Sequence, residues 1–253
     1  MRRPPGDGSP SRLGAFALIG TLFVLVQYLQ FVLGYSAGQT GLRLGPMALA
    51  VLVAGPLAGV LAPKMRAGLI PAAGLALVLA ALAVLGTTAT GDGYGRAMIA
   101  MTLLGAGAGF VITSTSDAIV GSLPEADLGI GSATNSAAIQ LGAAAGVAVT
   151  GSLLSARYQA DLADGLHGSA LPPGLLDSAQ DSLGTALTLA RQLPGQAGES
   201  VAAVARHAFV TGLGPAMSAG IGVTALGIVI ALVFPPRPRR SSPSRTSRME
   251  ESS

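Results

Sequence analysis

From Gly129 the chain runs GIGSATNSAAIQLGAAAGVAVTGSLLSA without a charged side chain until Arg157. About 20 residues at a rise of 1.5 Å each cross the hydrocarbon core of a bilayer, so this stretch is long enough to span one. It is not uniformly greasy. Asn135, Ser136 and Gln140 fall in its first half, and Gly142, Gly146 and Thr150 recur at every fourth position. Small residues at that spacing let helix backbones touch, whereas amides away from water need partners. A helix with both features belongs inside a bundle, beside something wet.

Further apolar runs share this length, and composition explains why. The 253 residues are 50% hydrophobic and 11% charged, against about 25% charged in ordinary soluble domains. The pattern is that of an all-α membrane protein crossing the bilayer several times. The chain has no cysteine, which excludes disulfides, thiolate metal sites and cysteine catalysis. Its net charge of +3 comes mostly from the two tails and reads as a topology signal rather than a nucleic-acid surface.

In order along the chain, residues 1–13 form a basic, Pro/Gly-rich tail expected to be disordered. The run after it is too long for a signal peptide and lacks a small-x-small cleavage site. It predicts a first transmembrane helix over 14–35, carrying Gln27 and Gln30 three apart on one face. These amides either bond across to other helices or line a polar cavity. A second helix is predicted over 45–62, with Gly55 and Gly59 at a packing spacing, followed by a basic turn containing Lys64 and Arg66. A third, over 69–88, is almost wholly aliphatic and is expected to face lipid. A fourth, over 97–123, carries Gly105, Gly107 and Gly109 and then TSTSD, ending in Asp117. Those glycines miss the dinucleotide-loop spacing and lie inside an apolar run, so they do not read as a phosphate loop. The fifth helix is predicted over 129–156.

Residues 157–207 hold most of the mid-chain acids and the breakers LPPG and LPGQ. Between the breakers Leu176, Ala179, Leu183, Ala186, Leu187 and Ala190 follow a helical period, predicting one amphipathic helix resting at the membrane surface. A sixth span is predicted over 208–234, before a basic, disordered tail at 235–253. Six spans put both termini on one side. Lysines and arginines concentrate in the tails and at Lys64 and Arg66, which makes that side cytoplasmic and the long loop extracytoplasmic.

The sequence gives catalysis no footing. His167 and His207 are far apart, and no HExxH or paired intramembrane aspartates occur. No metal or cofactor site is expected, and the chain reads as a non-enzyme. Asp117 is the one carboxylate embedded in a predicted span. A charge at mid-bilayer costs about 3 kcal/mol on insertion scales, so a proton relay is one reading. The other places Asp117 in the cytoplasmic headgroups, because Pro124 follows seven residues later.

Four segments carry a family resemblance: QYLQFVLGYSAGQTGLRLGP at 27–46, GPLAGVLAPK at 55–64, LGAGAGFVITSTSDAIVGSLP at 104–124 and GIGSATNSAAIQLGAAAGVAVTGSLL at 129–154. In order and spacing they resemble the last six helices of the fourteen-helix drug:proton antiporters of the major facilitator superfamily. The resemblance implies half of a transporter bundle that expels amphipathic, often cationic compounds from the plasma membrane, using a proton gradient and no cofactor. It implies that Gln27, Gln30, Asn135 and Gln140 face the substrate cavity. Departures are equally plain. The family's loop pattern G-x-L-x-D-R-x-G-x-R keeps Gly59, Leu61 and Lys64, but Pro63 stands for the acid and Arg66 for the second glycine. The family's RQLG is Ile139-Gln140-Leu141-Gly142. Three expectations stay open: a transporter component that assembles with a separately encoded half or a second copy, a truncated remnant, or a membrane interaction protein that binds an intact transporter.

Overall fold

The computed structural model describes residues 9–66, 68–122, 128–167 and 173–233. Residues 1–8, 123–127 and 234–253 lie outside the described residues, so the predicted disorder of the tails does too. The described elements are helical: α1 Ser9–Gln27 with a π-helical turn at Tyr28–Val32, α2 Ala37–Arg43, α3 Gly45–Leu61, α4 Leu69–Gly86, α5 Tyr94–Ser122, α6 Leu128–Gly165, α7 Pro173–Asp181, α8 Leu183–Gln192 and α9 Gln196–Val233. Among the described residues, six segments are long and apolar enough to cross a membrane, ending with α9. The chain is a multi-pass, all-α membrane protein.

Glycines decide which helices touch. A methyl group on Gly142 would strike the carbonyl of Arg12, and one on Gly146 the carbonyl of Phe16. Gly20 in turn lies against the backbone of Gly146, so α1 and α6 run parallel, backbone to backbone. The alternate glycines of α5 divide between two neighbours. Gly105 and Gly109 lie against Met47 and Ala54 of α3, while Gly107 meets the carbonyl of Gly74 on α4. One turn beyond Gly109, the Thr113 hydroxyl shares its proton between the carbonyls of Gly55 (3.2 Å) and Gly109 (3.0 Å). The α3 glycines therefore play a smaller part than expected. Gly55 receives Thr113, and Gly59 is exposed, with only the Thr113 methyl 4.0 Å from where its Cβ would be.

The third span, expected to face lipid, packs one face into the bundle and leaves Leu69, Ala73 and Ala76 exposed on the other. Half of α4 is buried, with Leu75, Val78, Ala81, Leu82 and Leu85 enclosed by α5 and α9. A helix that is apolar all round suits the middle of a membrane bundle as well as its rim. The least covered spans are Ala37–Lys64, with 11% of its most apolar stretch buried, and Ser132–Gly165, with 17%. The first packs principally on α5, the second on α1 and α9.

The predicted 157–207 loop is largely helical. α6 continues to Gly165 and α9 begins at Gln196, so the first helix extends past position 156 and the last starts before 208. Each has 38 residues, about 57 Å long and nearly twice the hydrocarbon thickness. The α1 helix likewise starts at Ser9, inside the predicted tail. The amphipathic helix is two helices, because Ser182 adopts extended backbone and accepts a hydrogen bond from Thr185 N, capping α8. Their apolar face does not rest on lipid. Ala179, Leu183, Ala186, Leu187 and Ala190 join the core formed with α6 and α9, and the Tyr158 hydroxyl donates to the Ala179 carbonyl at 3.0 Å.

Candidate functional site

The polar residues singled out in the sequence fall into two groups at opposite ends of the bundle. Because Arg12 lies level with Gly142, Gln27 stands about 25 Å from Gln140 along the axis, and farther from Asn135. Asn135 is half-buried and Gln140 exposed, both on the poorly covered α6. Between α6 and the start of α1 lies a shallow cavity of about 460 Å³ walled by Arg12, Thr134, Ala138, Leu141 and Gly142.

At the other end, the π-helical turn redirects α1 just after Gln27. Leu33 N–H donates to the Tyr28 carbonyl and Tyr35 N–H to that of Leu29, each at 3.1 Å. Gly34 then takes φ +74, a conformation that suits glycine. The widened turn rotates Gln30 away from the face of Gln27. Gln27 Nε2 is enclosed with no hydrogen-bond partner among the described residues, while Gln30 lines a pocket of about 330 Å³ under α8. Four candidates expected to share one cavity are thus not gathered in one place.

Asp117 lies on the α5 backbone, and its side chain is outside the described residues. Lys64 ends a short 3-10 turn, Ala62–Lys64, and is exposed, as is Arg66. Neither has a carboxylate partner among the described residues, whose ion pairs are Arg96–Asp92 and Arg157–Asp161. No group of three or more metal-binding side chains occurs among the described residues.

Two polar clusters escaped the sequence reading. Asp161, assigned to the loop, is on α6 with 17% of its side chain exposed; it pairs with Arg157 at 3.0 Å and accepts from the Thr211 hydroxyl of α9. The i,i+4 spacing of Arg157 and Asp161 was the available signal that the helix continues. The second cluster is aromatic. The Arg43 guanidinium lies 3.7 Å from the centroid of the Tyr35 ring and 5.5 Å from that of Tyr94, whose hydroxyl donates to the Arg43 carbonyl at 2.8 Å. It ties α2 to the start of α5, as the Tyr28 hydroxyl ties α1 to Asp92. Residues paired only through the fold carry no sequence spacing that would reveal them.

Comparison with known proteins bears on this membrane bundle directly. Residues 11–147, more than half of the chain, match the Major Facilitator Superfamily model. The methyl viologen resistance protein SmvA of Salmonella typhimurium is 32% identical over 197 residues, covering 76% of this chain and 38% of the relative. The multidrug efflux pump LfrA of Mycolicibacterium smegmatis is 30% identical over 223 residues (88% and 44%). The tetracenomycin C resistance and export protein of Streptomyces glaucescens is 29% identical over 224 residues (87% and 42%). The chain spans less than half the length of these relatives. Its six apolar segments and a family match that runs from the first span into the fifth make it a transporter-type protein rather than an enzyme: the chain belongs to the major facilitator superfamily.

Proposed function

We propose that this chain is one half of a drug efflux transporter, exchanging amphipathic, often cationic compounds for protons, and that a second half covers its α3 and α6 flanks. The observation that carries the reading is the uneven burial of the spans: 11% and 17% for those two, against 50% for the segments Arg12–Val32, Leu69–Gly86 and Tyr94–Ser114. Asn135 and Gln140 lie on one of the uncovered helices, where they would border a path between the halves. The resistance and efflux names of the relatives support the substrate class. In this arrangement Asp117 relays the coupling proton, and Gln27 and Gln30 contribute at the far end of the path. The chain resides in the plasma membrane with both termini cytoplasmic, and the proton gradient is its only energy source. The second half is a separately encoded chain or a second copy.

The test is expression of the full chain alone and together with the N-terminal six to eight helices of a relative. Tolerance to methyl viologen and efflux of a fluorescent cation are the readouts. With a separately encoded second half, expression alone is expected to give neither and co-expression to give both, with efflux lost in Asp117→Asn. Efflux by the chain alone, sensitive to Asp117→Asn, would assign the second half to another copy. Resistance that is unchanged by co-expression and by Asp117→Asn would sink the reading.

A further inference from the structure

The pocket under α8 shares Gln30 with the proposed path, but its arginines have no role there. Gln30, Tyr35 and Ser36 approach it from the end of α1 and the link that follows, Arg191 from the last turn of α8, and Arg206 from α9. Arg206 Nε donates to the Phe31 carbonyl at 3.3 Å, which fixes the guanidinium and leaves its terminal nitrogens free to donate elsewhere. Arg191 is exposed, and neither arginine has a carboxylate partner among the described residues. No lining residue is acidic. A third cation, Arg43, stacks on the Tyr35 ring that forms one wall. Two convergent guanidiniums with an amide and hydroxyls beside them match a phosphate group, which takes several donors at once.

The place of the pocket selects among phosphates. It straddles the end of the apolar segment Arg12–Val32, the level at which lipid headgroups meet a spanning helix, and Phe31 and Leu187 add an apolar side. We propose that this pocket binds the phosphate of an anionic phospholipid headgroup, held between Arg191 of α8 and Arg206 of α9. Bound there, the lipid joins the α8 cover to the end of α1.

The test is native mass spectrometry of the full chain, purified in detergent and titrated with phosphatidylglycerol, phosphatidylcholine or inorganic phosphate. Phosphatidylglycerol is expected to bind in preference to phosphatidylcholine. Arg191→Gln should weaken it by about fivefold, from the usual contribution of one basic side chain near an anionic lipid, and the double variant with Arg206→Gln should weaken it further. Arg191→Lys should retain most of the binding. Arg191 is exposed, so its variants report on binding even if Arg206→Gln disturbs folding. Equal binding of the two lipids, or phosphatidylglycerol binding unchanged in Arg191→Gln, overturns the proposal. So does inorganic phosphate displacing the lipid at equal concentration, which would assign the pocket to a soluble anion.

Discussion

At Gly146 a hydrogen in place of a methyl group decides whether α1 and α6 can touch. Its Cβ position is already taken by the Phe16 carbonyl, and backbone cannot swing aside as a flexible side chain can. Gly146→Leu is therefore expected to destabilise the bundle by at least about 1–3 kcal/mol, the usual range for overpacking. Gly59→Ala, at an open position near the end of α3, should stabilise by about 0.5 kcal/mol, because alanine holds a helix better than glycine. Melting by circular dichroism in one detergent distinguishes them, and equal midpoints for the two variants would refute the close contact. Gln27 offers the opposite case. An enclosed amide nitrogen without a partner costs about 1–3 kcal/mol, so Gln27→Met should raise the melting midpoint. The same substitution should lower efflux in the assembled transporter if that amide meets substrate.

Among the elements, α8 is held chiefly by its apolar face. Ala186 is fully buried in the core shared with α9, and a carboxylate there would have to leave water for an apolar interior. Ala186→Glu is expected to release α8 while leaving the six spans folded. Limited trypsinolysis checks this: cleavage after Arg191 should quicken by about tenfold or more if an opening equilibrium shifts by about 1.4 kcal/mol or more, with helical content nearly unchanged. The periodic positions 176–190 were legible in the sequence because a buried stripe leaves a repeat every three or four residues. What covers the stripe was not legible, since period alone does not distinguish a lipid surface from the side of another helix. The extended ends of α6 and α9 were missed for a related reason: hydropathy marks where lipid ends, whereas the backbone ladder continues past it, supported by pairs such as Arg157–Asp161. The glycines of α5 show the same limit from another side. Their irregular GAGAG looked like a loop motif to be dismissed, yet the alternation serves two neighbours, α3 and α4. The polar candidates were readable as residue types, but the π-helical turn that parts Gln27 from Gln30 has no sequence signature.

For the whole molecule, the decisive question is what covers α3 and α6. Leu52 on α3 and Leu141 on α6 are 69% and 73% exposed, and Leu226 on α9 is 54% exposed. Lipid can cover all three, whereas a second six-helix half placed against α3 and α6 leaves α9 to lipid. The absence of cysteine from the chain makes the distinction measurable with single introduced thiols. Leu52→Cys and Leu141→Cys should become resistant to a membrane-permeant maleimide when a partner half is co-expressed, while Leu226→Cys keeps its reactivity. A second thiol on the partner's facing helices should form a disulfide with position 52 or 141 and not with position 226. If protection falls on position 226 instead, the halves meet across α9, and a path bordered by Asn135 and Gln140 is lost with that geometry. If none of the three is protected although both halves are in the membrane, the chain stands alone there, and uneven burial is a property of its own packing rather than the imprint of a partner.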